Sequence, residues 1–213
     1  MPTLSEADSK RALAAHGVVF PSEREVPDVA TAVTAARELG HPVVLKLGGA
    51  AIAHKTERGL VRLSLADDDA VAIAAEELLA AARPEDGEVH LLVAPMLRGN
   101  RELIAGLHHD EQFGMTVMLG IGGVLTEALG DVAFRLVPIT RLDATEMIDD
   151  LATQALLGEV RGEPALDREA MAEVLLALSA AAEADPSIVS ADLNPLIVVE
   201  GRPVPVDALV EVA

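Results

Sequence analysis

Residues 191–207, Ala-Asp-Leu-Asn-Pro-Leu-Ile-Val-Val-Glu-Gly-Arg-Pro-Val-Pro-Val-Asp, constrain the fold of this chain more than any other stretch. Two extended runs, 196–199 and 203–206, flank Glu-Gly-Arg, and Gly201 supplies the turn, so the composition predicts a hairpin. A hairpin brings its ends together. Asn194 stands just before the first run, Asp207 just after the second, and Asp192 is close by. Hard oxygen donors, few in number, suit Mg²⁺, which keeps waters and completes its shell from phosphates. The same residues equally fit a plain surface hairpin opened by an Asn-Pro turn.

The rest of the chain alternates helical and extended text. Apolar spacing and terminal residues predict helices over 3–15, 28–39, 67–82, 143–157 and 167–184, the second begun by Asp28 and followed by Gly40. Strands are expected at 42–46, 60–65, 90–95, 101–107, 115–119 and 134–137, with Gly120 ending the fifth. Strands and helices in this order make a mixed α/β protein. Its 213 residues suffice for one large domain or for two lobes sharing a cleft.

Composition removes several functions. A net charge of −19 and only three aromatic residues, Phe20, Phe113 and Phe134, argue against nucleic-acid binding. Without cysteine there is no disulfide, thiolate nucleophile or Cys-ligated zinc. The polar first ten residues do not read as a signal peptide, and no apolar run of about 18 residues is present, so a cytoplasmic protein with no membrane span is expected. Any polyanion bound by so acidic a chain needs local cations or a metal. Lysine is rare, and two of the three, Lys46 and Lys55, lie within ten residues of each other around a Gly-containing loop. In a chain that otherwise uses Arg, paired Lys suggests compact charges placed at phosphates.

That loop, residues 47–60, reads Leu-Gly-Gly-Ala-Ala-Ile-Ala-His-Lys-Thr-Glu-Arg-Gly-Leu. A long Gly-bearing loop inside a compact domain is usually functional. Lys46 closes an apolar strand, where a Lys points either at a partner or out to solvent. Adjacent His108 and His109 would point to opposite faces of a strand and cannot chelate one ion, so 108–110 reads as a polar turn. The Gly120–Gly123 cluster lacks the Gly-Lys-Ser/Thr ending of a P-loop and the spacing of a dinucleotide fingerprint; close backbone passage is expected there.

Together these stretches resemble the nucleotide-binding β part of the ADP-forming acyl-CoA (acetyl-CoA) synthetases, ATP-grasp relatives of succinyl-CoA synthetase. Nearly the whole chain takes part: Pro42-Val-Val-Leu-Lys46, His54-Lys-Thr-Glu-Arg-Gly59-Leu, Leu91-Leu-Val-Ala-Pro-Met96, Arg101-Glu-Leu-Ile-Ala-Gly, Leu157-Gly-Glu-Val-Arg-Gly162 and the 191–207 hairpin. Most specific are Phe113-Gly-Met-Thr-Val-Met-Leu-Gly-Ile-Gly-Gly123, Glu127 and Gly130-Asp-Val-Ala-Phe-Arg-Leu-Val-Pro138. The pattern departs at Arg58, where the family has the first Gly of a Gly-Gly pair.

The resemblance implies an ATP-grasp fold over 1–213, two α/β lobes with nucleotide between them, one covering about 22–93 and the other 1–21 plus 94–213. It implies a phosphoryl relay in which His54 carries the phosphoryl group and Lys55 neutralises it. Lys46, Arg58 and Gly59 would hold phosphates, Val93 and Met96 would pack the adenine, and Glu102 would lie beside the nucleotide. Asn194 and Asp207 would hold Mg²⁺, with ATP or ADP as cofactor. For 91–96 an ordinary buried strand, and for Glu102 a solvated side chain, remain open. The implied activity is acid–CoA ligation (ADP-forming) in a hetero-oligomer with a CoA-binding α subunit that carries a phosphohistidine. A nucleotide-sensing module without catalysis, or another ATP-grasp ligase that presents an acyl phosphate to an amine, are the alternatives.

Overall fold

The computed structural model describes residues 2–49, 52, 55, 58–123 and 130–213. The chain divides into two compact units, Pro21–Leu97 and a second assembled from Met1–Phe20 and Arg98–Ala213.

In the Pro21–Leu97 unit, a four-stranded sheet is built from β1 (Arg24–Val26), β2 (Val43–Gly49), β3 (Val61–Leu65) and β4 (Val89–Pro95), in the order β1-β4-β2-β3. All pairs are antiparallel. Helices α2 (Val29–Leu39) and α3 (Asp68–Ala80) cover one face; α1 belongs to the other unit. Asp28 and Asp67 cap the two helices by accepting from Thr31 and Ala70 backbone N–H groups. The core pairs Leu45, Leu47, Leu91 and Val93 from the sheet with Ala32, Ala36, Val71, Ala75 and Leu78 from the helices. Small Ala residues on the helices let them sit close to a sheet of large aliphatic side chains.

The second unit holds a six-stranded sheet: β5 (Glu102–Asp110), β6 (Gly114–Ile121), β7 (Val132–Leu136), β8 (Ile188–Val199), β9 (Arg202–Pro205) and β10 (Leu209–Val212). The order is β10-β8-β5-β6-β7, and β9 pairs with the far half of the long β8. Helices α1 (Glu6–Ala14), α4 (Arg141–Asp150), α5 (Gln154–Leu157) and α6 (Arg168–Ala184) complete it. Its core joins Leu103, Ala105, Leu107, Val117, Leu119 and Ala133 on the sheet to Leu13, Met147, Ile148, Met171 and Leu175 on the helices. Alternate sheet residues therefore point away from the unit's own helices.

Three expectations change. Gly120 does not end β6, which runs to Ile121; a Cβ at Gly120 would stand 2.8 Å from Val132 Cγ1, so Gly lets β7 pack against a continuing strand. His108 and His109 are not a turn after β5 but strand residues near its end, both exposed; the turn follows Asp110, the last residue of β5, whose side chain accepts from the N–H groups of Gln112 and Phe113. The single helix over 143–157 is two. Asp131 accepts from the Ala152 and Thr153 N–H groups at 2.8 Å each, giving α5's approach a partner off the helix axis. Gln154 Nε2 donates to the Ile148 and Leu151 carbonyls, satisfying the end of α4.

Candidate functional site

Strand register decides which side chains share a face. Opposite Lys46 on β2 stands Leu92 on β4, opposite Val44 stands Ala94, and opposite Gly48 stands His90. These residues occupy the face away from α2 and α3, whereas Leu45, Leu91 and Val93 occupy the helix-covered face. Lys46 therefore lies mid-strand, not at a strand end: β2 continues to Gly49, and the side chain is 7% exposed on the helix-free face. Glu25, opposite Leu92 on β1, shares that face, and its carboxylate lies 3.6 Å from His90 Nε2. Gly48 leaves room for the His90 ring, since a Cβ there would fall 2.4 Å from His90 Nε2 and the ring would have to shift.

The same alternation corrects the expectation for Val93. Its side chain is fully buried in the helix-facing core, so it has no free surface to pack a ring. Leu92 and Ala94, one residue to either side, are the aliphatic groups on the Lys46 face. Met96 follows the strand, half-buried, with its N–H bonded to the Pro42 carbonyl at 3.0 Å, and the unit ends one residue later.

His54 lies outside the described residues. Of its neighbours, Ile52 is buried in the unit's core, and the Lys55 carbonyl accepts from the Leu60 N–H at 2.8 Å, closing the turn that contains Arg58 and Gly59. Gly59 has φ +68°, the left-handed region that glycine adopts most readily. Arg58 Nη1 and Nη2 donate to the two carboxylate oxygens of Asp86 at 2.8 and 2.9 Å. The Asp86 side chain is 1% exposed, shielded by its immediate partners. The Arg58 bonds, and then the Arg83 N–H, hold its carboxyl down at about 2, and the same pair raises Arg58. Arg58's charge is thus already met by a carboxylate from the turn before β4. The expectation that it grips phosphate loses its free cation.

In the second unit, β8 is irregular where it matters. Leu103 pairs with Leu196 and Ala105 with Leu193, so one residue of β5 faces two of β8, Asn194 and Pro195. The bulge turns Leu193 and Leu196 both into the core and leaves Asp192 and Asn194 exposed. Beyond it the Val206 N–H bonds to the Pro195 carbonyl at 3.2 Å, carrying the β8–β9 pairing to the doorstep of Asp207. The Asp192 carboxyl is raised, first by the protein packed around it at longer range although its own surface is exposed; the Asp207 charge raises it further, and a hydrogen bond from Asn194 works against both. The Asp192 carboxyl therefore responds to both Asn194 and Asp207. Gly106, opposite Asp192, completes the picture: a Cβ there would stand 2.4 Å from the Ala191 carbonyl oxygen.

Among the described residues no group of three or more His, Asp or Glu side chains is placed to hold a metal. Asp192 and Asn194 stand two residues apart on β8, Asp207 follows the end of the β8–β9 pairing, and all three carry hard oxygen donors. That set is too sparse for a closed protein cage and fits Mg²⁺, which takes few protein ligands and leaves positions for phosphate and water.

Glu102 opens β5 opposite Ile197, on the face opposite to Leu103. The Gly122 N–H bonds to its carbonyl at 2.7 Å, and a Cβ on Gly123 would lie 3.4 Å from its Oε2. The Gly120–Gly123 cluster thus serves close passage against β5 and β7; a Cβ on Gly122 would stand 3.0 Å from Leu103 backbone atoms. Glu102, Gly122 and Gly123 line a cavity of about 310 Å³ with Arg101, Leu156, Leu157 and Leu166. Glu127 lies outside the described residues.

Two residues not singled out from the sequence for these roles shape this region. Arg101, 5% exposed, donates to the carbonyls of Leu156, Gly158 and Pro164, and its Nε lies 3.5 Å from Glu163. Asp131 is the second. Desolvation raises its carboxyl, but the Thr153 hydroxyl and the Ala152 and Thr153 N–H groups together outweigh it, and the net direction is down. A lone Arg beside a turn, or an Asp after a Gly, carries no period that announces such partners.

A family model described as an ATP-grasp domain matches residues 2–212. The chain is 34% identical over 208 residues to the acetate–CoA ligase (ADP-forming) I β subunit of Pyrococcus furiosus, covering 96% of this chain and 90% of that one. It is 35% identical to the 4-hydroxybutyrate–CoA ligase (ADP-forming) of Nitrosopumilus maritimus, where 93% of this chain spans only 29% of the relative's length. Among solved structures, the dinucleotide-forming acetyl-coenzyme A synthetase 1 of Candidatus Korarchaeum cryptofilum, in complex with coenzyme A, Ca-AMPCP and HgCl⁺, superposes with a TM-score of 0.91 at 32% identity, covering 100% of this chain and 94% of that one. The same protein with coenzyme A and Mg-AMPPCP, its phosphohistidine segment pointing towards the nucleotide-binding site, gives 0.85 at 33% identity, covering 100% and 93%. By sequence along nearly its full length and by fold, the chain belongs to the ATP-grasp family, among the β subunits of the ADP-forming acyl-CoA ligases.

Proposed function

We propose that this chain is the nucleotide-handling subunit of an ADP-forming acyl-CoA synthetase and moves a phosphoryl group between a histidine and ADP or ATP. The observation that carries the reading is the near full-length match to an ADP-forming acetate–CoA ligase β subunit, 34% identical over 90% of that subunit. The Korarchaeum structure with Mg-AMPPCP and a phosphohistidine segment pointing towards the nucleotide-binding site supports the same chemistry.

In this reading Lys46, on a sheet face free of its own unit's helices, and Lys55, in the closed turn before β3, meet phosphate oxygens. Asn194 and Asp207, with Asp192 nearby, would hold Mg²⁺, which when bound would offset phosphate charge. A neutral imidazole nitrogen of His54 attacks the γ-phosphorus. The bond from phosphorus to the bridging oxygen breaks, and ADP leaves with that electron pair. Ala94 and Met96, both half-buried, supply aliphatic surface for the adenine. The partner is a CoA-binding α subunit whose phosphohistidine exchanges the group with this one, so the working enzyme is a hetero-oligomer.

Incubation with γ-³²P-labelled ATP and Mg²⁺ tests this. The chain takes an acid-labile, base-stable label that is absent in His54→Asn, while His54→Asn still binds ADP. Stoichiometric ATP binding without acid-labile label, even with the CoA-binding partner supplied, leaves nucleotide sensing as the better reading.

A further inference from the structure

The Arg58–Asp86 pair joins two segments 28 residues apart. Asp86 is oriented before Arg58 reaches it: its Oδ2 accepts from the Arg83 N–H at 2.8 Å, and its own N–H bonds to the Arg83 carbonyl at 3.0 Å. Arg58 adds both terminal nitrogens, a bidentate arrangement that fixes orientation as well as distance. The loop's outgoing arm touches the same turn. A Cβ on Gly49 would stand 3.0 Å from the Glu88 carbonyl oxygen and 3.5 Å from that of Asp86. Both arms of the loop after β2 therefore rest on residues 86–88. Further ties hold the returning arm: Arg62 Nη1 donates to the Gly59 carbonyl at 2.7 Å, and the Leu47 N–H bonds to the Leu60 carbonyl at 3.0 Å. Lys55 sits three residues before Arg58 inside the turn closed by Leu60, so at most roughly 11 Å of chain separates the two.

We propose that Arg58 and Asp86 act as one positioning unit: they fix the Lys55 turn, and through it the rate of phosphoryl transfer, without either side chain touching nucleotide. The inference rests on the function proposed above and deepens it, since it reassigns a cation of the loop, Arg58, that the geometry shows to be engaged with Asp86. A phosphate-binding Arg keeps its terminal nitrogens for the ligand; here both are spent on a shielded carboxylate. Positioning groups act on rate because small misplacements of the reacting groups raise the barrier steeply.

The test compares Arg58→Gln, Asp86→Asn, the double variant and Arg58→Lys in the full chain, with its CoA-binding partner where labelling requires it. Three readouts are the initial rate of γ-³²P incorporation, ADP affinity by calorimetry, and the unfolding midpoint. Arg58→Gln and Asp86→Asn each slow labelling at least tenfold and leave ADP affinity within about twofold. The double variant is no slower than either single one, because the pair is lost once. Arg58→Lys, which keeps the charge and one hydrogen bond, recovers part of the rate and stands in for Arg58→Gln if that variant does not fold. Loss of ADP affinity in Arg58→Gln with a normal Asp86→Asn makes Arg58 a phosphate ligand and overturns the inference. Wild-type rates in folded variants with lowered midpoints make the pair merely structural and overturn it as well. A wild-type chain that takes no label, alone or with its partner, is a different failure: it overturns the phosphoryl-transfer reading on which the inference stands.

Discussion

Replacing Arg101 by Met keeps most of the apolar stem and removes the guanidinium. Three backbone carbonyls, those of Leu156, Gly158 and Pro164, then lose a charged donor. Glu163, 24% exposed, loses its nearest cation, though Asn100 still donates to its Oε1 from the backbone N–H at 3.1 Å and from Nδ2 at 2.8 Å. Hydrogen bonds to charged groups are each worth roughly 1.5–3 kcal/mol. Simple addition overshoots, because the adjoining cavity of about 310 Å³ can admit water to the freed carbonyls. Breaking a buried charged network by removing one partner typically costs about 3–5 kcal/mol, and that range is expected here. For a chain of this size it lowers the unfolding midpoint by roughly 6–20 °C, at about 2–4 °C per kcal/mol. Calorimetry measures the midpoint, and hydrogen exchange locates the damage. The amides of Val160, Glu163 and Leu166, bonded in the loop that Arg101 gathers, exchange faster in the variant, while those of β2 and β4 do not. A midpoint within about 2 °C of wild type, with unchanged exchange at those three amides, refutes the reasoning.

Lys46→Met removes a charge from the helix-free face while keeping the stem, and it weakens ADP binding at least tenfold, or about 1.4 kcal/mol; unchanged affinity by calorimetry takes Lys46 out of the site. Asp207→Ala weakens nucleotide binding far more with Mg²⁺ than in chelator, whereas equal losses in both point to folding damage. Asp86, held down at about 2 against an ordinary 3.8, contributes stability that is fully present above 3.8 and is lost as pH falls through about 2; the stability gap between wild type and Asp86→Asn therefore closes over that window, and a gap independent of pH contradicts the pairing with Arg58.

Much of this protein was written locally. Asp28, Asp67 and Asp167 each stand where a helix begins, and each side chain accepts from the N–H three residues on. The 196–206 hairpin pairs as its turn chemistry requires, Leu196 with Pro205 and Val199 with Arg202. Helix caps and tight turns are decided within a few residues, so their signals survive in the bare sequence. Strand ends were less legible. β2, β5 and β6 all run beyond their expected limits, because a neighbouring strand continues to offer hydrogen-bond partners past a Lys, a His pair or a Gly.

The sequence by itself determined the alternation of elements, the acidic background that any bound polyanion must overcome, and the hard-oxygen residues of the last hairpin. Tertiary structure alone decided which face each strand residue takes and which charges are already answered. Val93 and Leu92 take opposite faces of the sheet because register, not composition, sets parity. Asn194 stays exposed because a bulge opposite β5 shifts the alternation by one. Arg58 and Asp86 meet across 28 residues, and Arg101 gathers carbonyls up to 63 residues away. No short-range pattern encodes such pairs. They form when packing brings distant backbone together, and the free energy that holds them depends on the desolvation that packing imposes.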